Sequence, residues 1–374
     1  MMNLETLSLV NFKNYSQAEF TFTPGINCLV GNNGVGKTNL LDAIHYLSLT
    51  KSYFNAVDTQ NIRHGDEFFI IQGRFRIGDK EEDIYCCVHK SRKKQFRRNK
   101  KDYNRLADHI GLLPVVMISP ADSSLIIEGS EERRKFIDSV ISQYDRRYLD
   151  DLIRYNRALA QRNSLLREQV RNPSAVEETL SLFDEQMIPP GQRIFEKRRE
   201  FTGKMIPVFQ EYYDYISMGK EKVGLRYSSQ LEHGDFNTLL KENLQKDRLL
   251  QYSTTGIHKD DLWLGLDDHP IKRVGSQGQQ KTFLVALKLA KFGFIKNMCG
   301  FSPILILDDI FDKFDAGRVK QIISLVAQHD FGQIFITDTN LKHIEGILSE
   351  INIEHRIFRI NERIEEYMNK HESG

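Results

Sequence analysis

The chain has 374 residues, of which 40% are hydrophobic and 28% charged, so it can bury one large core or two smaller ones. Its formal net charge at pH 7 is +1, and any affinity for nucleic acid must therefore come from local basic patches. The four cysteines (Cys28, Cys86, Cys87 and Cys299) lack the spacing of a disulfide framework or a zinc site. We interpret them as small buried residues of a reducing compartment.

The amino-terminal residues Met1–Glu5 lack a basic region followed by an apolar stretch. No run in the chain reaches the roughly 18 apolar residues that a membrane-spanning helix needs. We therefore expect a cytoplasmic protein without membrane contact.

The first part of the chain is rich in strand patterns. Residues Thr6–Phe12 alternate like a half-buried strand, and Ile26–Val30 form an apolar run typical of a buried strand. Further strand-like runs follow at Phe68–Ile77 and Ile84–His89.

A phosphate-binding loop is predicted directly after the Ile26–Val30 strand, where the sequence matches G-x-x-x-x-G-K-[ST]. Its residues are Gly31, Asn32, Asn33, Gly34, Val35, Gly36, Lys37 and Thr38. The glycines allow backbone N–H groups to face a phosphate, with the positive end of the helix predicted at Asn39–Leu47 behind them. We expect ATP here, with Lys37 on the β and γ phosphates and Thr38 on Mg²⁺.

A basic segment follows at Lys90–Arg105, with nine Lys and Arg among its sixteen residues and two aromatic residues between them. Such a patch on a nearly neutral chain can follow nucleic-acid phosphates. Lys93, Lys94, Arg97 and Arg98 are its candidate DNA contacts. A charged β-hairpin that protects a sheet edge would give the same composition.

The middle of the chain is predominantly helical from about Glu131 onward. Apolar residues recur at helical spacing from Tyr148 to Leu159, and again from Leu180 to Phe209. Pro189-Pro190-Gly191 interrupts the second run and predicts a kink or a break into two helices.

The carboxyl-terminal part predicts a parallel sheet. A helix at Gln279–Asn297 precedes an apolar strand at Ile304–Leu307, and a helix at Ala316–Gln328 precedes a strand at Gln333–Thr337. The simplest architecture is an α/β ATPase head made from both ends of the chain, with a mainly helical lobe inserted. We expect segments 1–118 and 291–374 to form the head and 119–290 to form the lobe.

Two acidic residues, Asp308 and Asp309, follow the Ile304–Leu307 strand. In phosphate-loop ATPases a carboxylate in this position helps to hold Mg²⁺, usually through water, and Asp308 fits that role. Asp309 would face the γ-phosphate, where a carboxylate can act as a base or orient the attacking water. We therefore take Asp309 as the candidate catalytic residue.

A third element, formed by Ser276, Gln277, Gly278 and Gln279, precedes the Gln279–Asn297 helix. Ser276 can cap this helix, and Gly278 allows a phosphate to approach its positive end. The segment resembles the signature loop of ABC-type ATPases, in which the signature of one subunit closes over ATP on another. The resemblance implies an active site that is complete only in a dimer.

Thr38 and Ser276 lie 238 residues apart, more than a compact transporter cassette needs and far fewer than in ATPases with long coiled-coil arms. The sequence resembles the RecF family of bacterial recombination mediators along essentially its whole length, and we therefore expect an ABC-type head of mixed sheets with a short coiled-coil-like arm. The matching segments are Leu9–Tyr15, Gly31–Thr38, Glu128–Asp138, Gln161–Leu166, Gly256–Leu262 and Ser276–Gln280. Thr337–Asn340 stands where related ATPases often have a histidine, so we expect slow hydrolysis.

The resemblance implies an ATP- and Mg²⁺-dependent head-to-tail homodimer that clamps DNA, single-stranded and gapped duplex, at single-strand/double-strand boundaries. Its protein partners would be other recombination mediators, and its outcome would be recombinase loading on single-stranded DNA. DNA would stimulate a weak ATPase. A phosphoryl-transfer enzyme acting on a small molecule is the main alternative, since the phosphate loop alone would suit it. A transporter-type cassette is a weaker one.

Overall fold

The computed structural model describes residues 2–168, 173–219, 221–310, 316–328, 331–349, 354–361 and 364–368. The chain divides into two compact units. The head unit comprises Met1–Asp122, Asp214–Gly219 and Leu284–Gly374, and the lobe unit comprises Ser123–Tyr213 and Lys220–Phe283. None of the helices in the described part of the chain is long and apolar enough to cross a membrane.

The strands are β1 Met2–Phe12, β2 Tyr15–Thr21, β3 Ile26–Val30, β4 Phe68–Ile77, β5 Lys80–His89, β6 Arg92–Arg98, β7 Lys101–Asp102, β8 Val115–Ile118, β9 Val223–Ser228, β10 Asp261–Leu266, β11 His269–Pro270, β12 Ile304–Leu307, β13 Ile334–Asp338, β14 His355–Ile360 and β15 Ile364–Met368. The α-helices are α1 Lys37–Leu49, α2 Ser124–Ile127, α3 Ser130–Ile141, α4 Arg146–Glu168, α5 Pro173–Ser217, α6 Phe236–Glu242, α7 Leu244–Leu250, α8 Ile271–Val274, α9 Gln277–Cys299, α10 Ala316–Gln328 and α11 Leu341–Ser349. Short 3-10 helices lie at Asp58–Asn61, Leu106–Asp108, Pro120–Ser123, Gln230–Glu232 and Ile257–Lys259.

An antiparallel sheet in the order β2-β1-β4-β5-β6-β7 forms one layer of the head unit. Alternate residues of its strands are buried, as in β4, because one face covers the core and the other meets water. The strand predicted at Thr6–Phe12 begins earlier, at Met2, since Leu4 is fully buried and continues the apolar face.

A second sheet has the order β15-β14-β3-β13-β12-β8. The pairs β14/β3, β3/β13, β13/β12 and β12/β8 are parallel, and β15 is an antiparallel edge strand. The predicted parallel sheet is therefore confirmed. Because β3, β12 and β13 are parallel neighbours, the segments after their carboxyl ends meet at one edge of the sheet.

The lobe unit is mainly helical but also contains a three-stranded antiparallel sheet, β11-β10-β9. Strand-like signals after about Gly256 agree with β10 and β11, whereas β9 was not predicted. A kink or a break was expected at Pro189-Pro190-Gly191; the break is wrong, because α5 continues through Pro189 and Pro190. The prolines cannot donate backbone hydrogen bonds, which destabilises the helix at this point. Burial of Met187 and Ile194 on either side of them offsets this loss and stabilises the continuous helix.

Buried ion pairs hold the lobe together. The guanidinium of Arg198 on α5 donates to both Asp138 carboxylate oxygens at 2.9 and 3.1 Å, and to Asp260 at 2.8 Å. His258 lies between the hydroxyl of Tyr155 at 2.8 Å and the carbonyl of Ser253 at 3.0 Å, and burial lowers its pKa to about 4. These contacts give His258 and Asp260 structural roles.

Candidate functional site

The predicted phosphate loop connects β3 to α1 at the shared edge of the parallel sheet. Gly34 and Gly36 have φ angles of 84° and 113°, which side chains of other residues rarely adopt. A Cβ at Gly31 would lie 2.3 Å from the carbonyl oxygen of Ile360, so that position also requires glycine. The loop thus turns tightly into the amino-terminal end of α1, where unpaired amide groups attract anions.

Two residues that the sequence did not single out as site residues brace this loop. The Asn14 side-chain amide donates to the carbonyl of Val35 at 3.0 Å, and the Tyr15 hydroxyl donates to that of Gly36 at 3.1 Å. A Cβ at Gly36 would lie 2.5 Å from Asn14 Nδ2. A signal was present, because Asn14 and Tyr15 end the first segment that resembles the RecF family.

The Lys37 ammonium group lies within the loop and is nearly fully buried. It donates to the carbonyl oxygens of Gly31 at 2.7 Å and Asn32 at 3.0 Å. Asn32, Asn33 and Gly34 form the exposed tip of the loop. A buried cation whose partners among the described residues are backbone carbonyls can readily exchange one of them for a phosphate oxygen.

Asp308 lies directly after β12 and meets the first turn of α1. One of its carboxylate oxygens accepts hydrogen bonds from Thr38 at 2.9 Å and Thr337 at 3.0 Å. The other lies 3.5 Å from the hydroxyl of Ser119. Burial raises the pKa of Asp308, the hydroxyls of Thr38 and Thr337 oppose this rise, and the neighbouring charge of Asp309 adds to it.

Asp309 has a φ angle of 45°, in the left-handed region that residues other than glycine seldom occupy. Its backbone N–H donates to the hydroxyl of Thr337 at 2.8 Å, and that hydroxyl lies 3.1 Å from its carboxylate. Thr337 has one hydroxyl hydrogen, so it donates to either Asp308 or Asp309. Thr337 is thus a site residue that the sequence analysis did not identify. That analysis noted only that Thr337–Asn340 contains no histidine.

The oxygen atoms around Asp308 suit Mg²⁺, which prefers hard oxygen ligands and retains several waters. In the part of the chain that the structure describes, no three His, Cys, Asp or Glu residues cluster as a metal site. A phosphate-loop site does not need such a cluster, since one hydroxyl, one carboxylate and the nucleotide phosphates share the ion. Thr38 and Asp308 therefore fit Mg²⁺ together with a nucleotide.

The predicted signature loop lies in the lobe unit, at the amino-terminal end of α9. Ser276 caps this helix as expected: its hydroxyl accepts from Gln279 N at 3.2 Å, and Gln279 Oε1 accepts from Ser276 N at 2.7 Å. This reciprocal pair is a capping box. Gln277 and Gly278 begin the helix between them, with Gln277 exposed.

The predicted DNA contacts lie on β6, near an edge of the antiparallel sheet. Lys93 is exposed, whereas the other three side chains form ion pairs within the head unit. Lys94 pairs with Asp58 at 3.1 Å, Arg97 with Asp102 at 3.0 Å, and Arg98 with the buried Glu82. These ion pairs are consistent with the alternative given for this segment, a charged β-hairpin that protects a sheet edge.

Known proteins resemble this chain in sequence along nearly its whole length. The model of the RecF/RecN/SMC N-terminal domain family matches residues 3–359. DNA replication and repair protein RecF of Phocaeicola vulgatus is 53% identical over 363 residues, which cover 96% of this chain and 97% of that protein. The same-named protein of Flavobacterium johnsoniae is 50% identical over 359 residues, covering 96% of this chain and all of that protein.

Solved structures agree with these relatives. A structure of the recombination mediator protein RecF-ATP in the RecFOR pathway superposes with a TM-score of 0.88 at 28% identity, covering 98% of both chains. An Smc head domain from Pyrococcus furiosus, with a TM-score of 0.57 at 18% identity over 98% of this chain and 97% of that chain, shares the fold alone. The mixed sheets and flanking helices are those of an ABC-type ATPase head, and the chain belongs to the RecF family.

Proposed function

We propose that this chain is an ATP-dependent DNA-binding protein of recombinational DNA repair and replication. The observation that carries the proposal is the convergence of Lys37, Thr38 and Asp308 around a phosphate loop, with Thr38 and Asp308 2.9 Å apart. The solved RecF-ATP structure supports ATP as its nucleotide, and the relatives named DNA replication and repair protein RecF support a role in DNA replication and repair.

Each residue of the site has a role that follows from its chemistry. The loop amides from Asn32 to Gly36 and the ammonium of Lys37 bind the phosphates. The hydroxyl of Thr38 and the carboxylate of Asp308 hold Mg²⁺, which neutralises charge on the phosphates when bound. Because Asp308 is buried, a cation beside it also relieves the unfavourable burial of its charge.

Asp309 acts on the attacking water. Its carboxylate accepts the proton of the water as the oxygen bonds to the γ-phosphorus, the bond between that phosphorus and the β,γ-bridging oxygen breaks, and ADP leaves. Thr337 holds Asp309 by accepting its backbone N–H at 2.8 Å. Without a histidine in the Thr337–Asn340 segment to bind the γ-phosphate, hydrolysis is slow and serves as a switch.

The signature loop acts in trans, so ATP drives a head-to-tail homodimer. In the capping box the Ser276 hydroxyl oxygen is an acceptor. The hydroxyl hydrogen therefore stays available to donate to a phosphate oxygen of the ATP bound to the partner subunit. The backbone N–H groups of Gln277 and Gly278 at the start of α9 add two further donors. ATP thereby favours the dimer, because these contacts exist only in the ATP-bound pair.

The dimer clamps DNA, single-stranded and gapped duplex, at single-strand/double-strand boundaries, and DNA stimulates the weak ATPase. Exposed Lys93 can contact a DNA phosphate without breaking an existing ion pair, since it forms none with any described residue. Arg97 can exchange its exposed partner Asp102 for a phosphate at little cost. Lys94 and Arg98 contribute mainly through the local positive potential.

Recombination is the process in which this clamp works. The clamp supports recombinase loading on single-stranded DNA together with other recombination mediators, a role suggested by its likeness to the solved recombination mediator RecF of the RecFOR pathway. Similarity to repair proteins over 96% of the chain does not favour a small-molecule phosphoryl-transfer enzyme, and no observation favours a transporter cassette.

Two substitutions of Ser276 test the signature-loop role without removing the helix cap. Asp is as good an N-cap as Ser, so Ser276→Asp should keep thermal stability and ATP binding, while its charge repels the triphosphate of a partner. We expect loss of the ATP-dependent dimer and of DNA-stimulated hydrolysis. Ser276→Thr, which keeps both cap and hydroxyl, is the matched control and should dimerise normally.

The measurement combines light scattering with binding of a fluorescent ATP analogue for both variants. If Ser276→Asp dimerises and hydrolyses ATP like the unchanged protein, the signature loop has no role in trans and the proposal fails.

A further inference from the structure

The outer face of the small sheet in the lobe unit carries the only tryptophan of the chain, Trp263 on β10. Its indole lies flat over two glycines: a Cβ would come within 1.9 Å of the ring at Gly265 and within 2.9 Å at Gly224. Gly265 and Gly224 are opposite each other in the β10/β9 register. The lack of a side chain at these two paired glycines therefore leaves the space that the indole ring occupies.

The other face of the indole is covered by a cation. The guanidinium of Arg226, opposite Trp263 in the register, lies 4.8 Å from the ring centroid. Arg226 is exposed and forms no ion pair with any described residue. The ring therefore presents its edge, and a nucleic-acid base cannot stack on it without displacing Arg226.

A cavity of about 450 Å³ adjoins this ring. Its apolar lining consists of Ile126, Leu262, Leu264, Pro270 and Ile271. Its charged lining consists of Arg133, Arg226, Lys272 and Asp261.

The charges of the lining do not cancel. Arg133 and Asp261 neutralise each other through two hydrogen bonds of 2.7 and 3.0 Å. Lys272 is exposed and donates to the carbonyl of Ile127. It has no carboxylate partner among the described residues. Arg226 and Lys272 therefore remain as two cations without a carboxylate partner among the described residues, beside the apolar part of the cavity.

The same cavity follows an incomplete edge of the sheet. β11 pairs only with Gly265 and Leu266 of β10, and in the ranges that the structure describes no strand lies beside Asp261–Leu264 on that side. Asp261, Leu262, Trp263 and Leu264 all line the cavity. An extended segment placed there would continue β11 along β10 and bury apolar side chains in the hole.

We propose that this cavity binds an extended peptide segment of a partner protein, with an apolar centre flanked by acidic residues. The apolar side chains fill the hole, the backbone extends the sheet beside Asp261–Leu264, and the carboxylates meet Arg226 and Lys272. The apolar lining, the covered face of the indole and the open strand edge favour a peptide over single-stranded nucleic acid. The site lies within the lobe unit, and its binding does not depend on ATP.

The test uses the full chain and a fluorescein-labelled peptide, Glu-Asp-Leu-Val-Ile-Asp-Glu-Asp. We expect saturable binding that weakens with salt and shifts the emission of Trp263, which alone supplies the tryptophan signal. Arg226→Glu should weaken binding by about tenfold or more, and Arg226→Gln by less, because the cation lies beside the bound carboxylates. Lys246→Glu, at an exposed lysine of the same unit outside the cavity, should leave binding unchanged.

Further probes make the result decisive. A peptide with lysine in place of each acidic residue should not bind, and Lys37→Ala should leave peptide binding intact even though it removes ATP binding. No saturable binding of the acidic peptide up to roughly 1 mM, or equal binding to Arg226→Glu, would overturn the proposal. Binding of an eight-nucleotide oligothymidine that Arg226→Glu abolishes, without peptide binding, would assign the cavity to nucleic acid instead.

Discussion

Three side chains at the carboxyl ends of β12 and β13 lie together in the proposed nucleotide site. Asp308 is buried and shares the hydroxyl of Thr337 with Asp309, at 3.0 and 3.1 Å. The carboxylates of Asp308 and Asp309 lie next to the same hydroxyl and repel each other unless a cation neutralises them. A cation bound at the proposed site would offset the repulsion between Asp308 and Asp309.

The raised pKa of Asp308 leads to a pH-dependent prediction. The folded state holds the Asp308 proton more tightly than the unfolded state, so ionised Asp308 lowers the stability as pH rises above the ordinary carboxyl range of about 4. Asp308→Asn keeps an acceptor for Thr38 and Thr337 without the charge. We expect its apparent Tm at pH 7 to rise by about 2 °C, the scale of a 1 kcal/mol gain.

Thermal unfolding between pH 4 and pH 8, without nucleotide, measures this effect. The gain should shrink as the pH falls toward the ordinary carboxyl range, because the raised pKa of Asp308 favours its protonated form there, and the variant should lose Mg²⁺-dependent hydrolysis. An Asp308→Asn protein that is less stable than the original at pH 7 would contradict the electrostatic explanation.

Elements with a strong local signal were predictable. The strands Ile26–Val30, Phe68–Ile77 and Ile304–Leu307 and the helix Ala316–Gln328 have the bounds that their periodicity predicted. The helix after the signature loop extends two residues beyond the prediction at each end, to Gln277 and Cys299. Such runs combine a single periodicity with clear turn residues.

Elements decided by tertiary contacts were not predictable. The β9–β11 sheet consists of short strands inside a helical region. Helix α5 continues through Pro189, Pro190 and Pro207, and buried residues such as Met187 and Ile194 stabilise it. The bracing of the phosphate loop joins Asn14 to Val35, 21 positions apart. The resemblance to the RecF family marked the segment that contains Asn14, but no local pattern reveals this contact.

Two glycines of α5 separate packing from helix propensity. A Cβ at Gly191 would lie 2.6 Å from Phe236 and 3.1 Å from Tyr155, whereas one at Gly203 would meet nothing within 4 Å. Gly191→Ala should therefore destabilise the protein by about 1–3 kcal/mol through overpacking. Gly203→Ala should stabilise it by about 0.5–1 kcal/mol, since alanine favours the helix.

Urea unfolding followed by circular dichroism compares these two variants with the original protein. Equal and positive effects of both substitutions would show that Phe236 and Tyr155 move aside easily and that the close packing around Gly191 carries no constraint.

At the scale of the whole molecule, both ends of the chain and Asp214–Gly219 form the head unit, and the rest of the middle forms the lobe unit. The structure divides the chain after Asp122 and Phe283, and the segments expected from the sequence ended at 118 and 290. The phosphate loop and Asp308 belong to the head unit and Ser276 to the lobe unit. A complete site in the proposed dimer therefore draws on residues of both units.

The molar mass in solution tests the ATP-dependent dimer most directly. Light scattering is measured without nucleotide, with ADP and with ATP·Mg²⁺, each with and without a gapped duplex. We expect a monomer of 43.5 kDa without nucleotide, a dimer with ATP·Mg²⁺, and a dimer strengthened by the duplex. A monomer under every condition would contradict the proposed clamp.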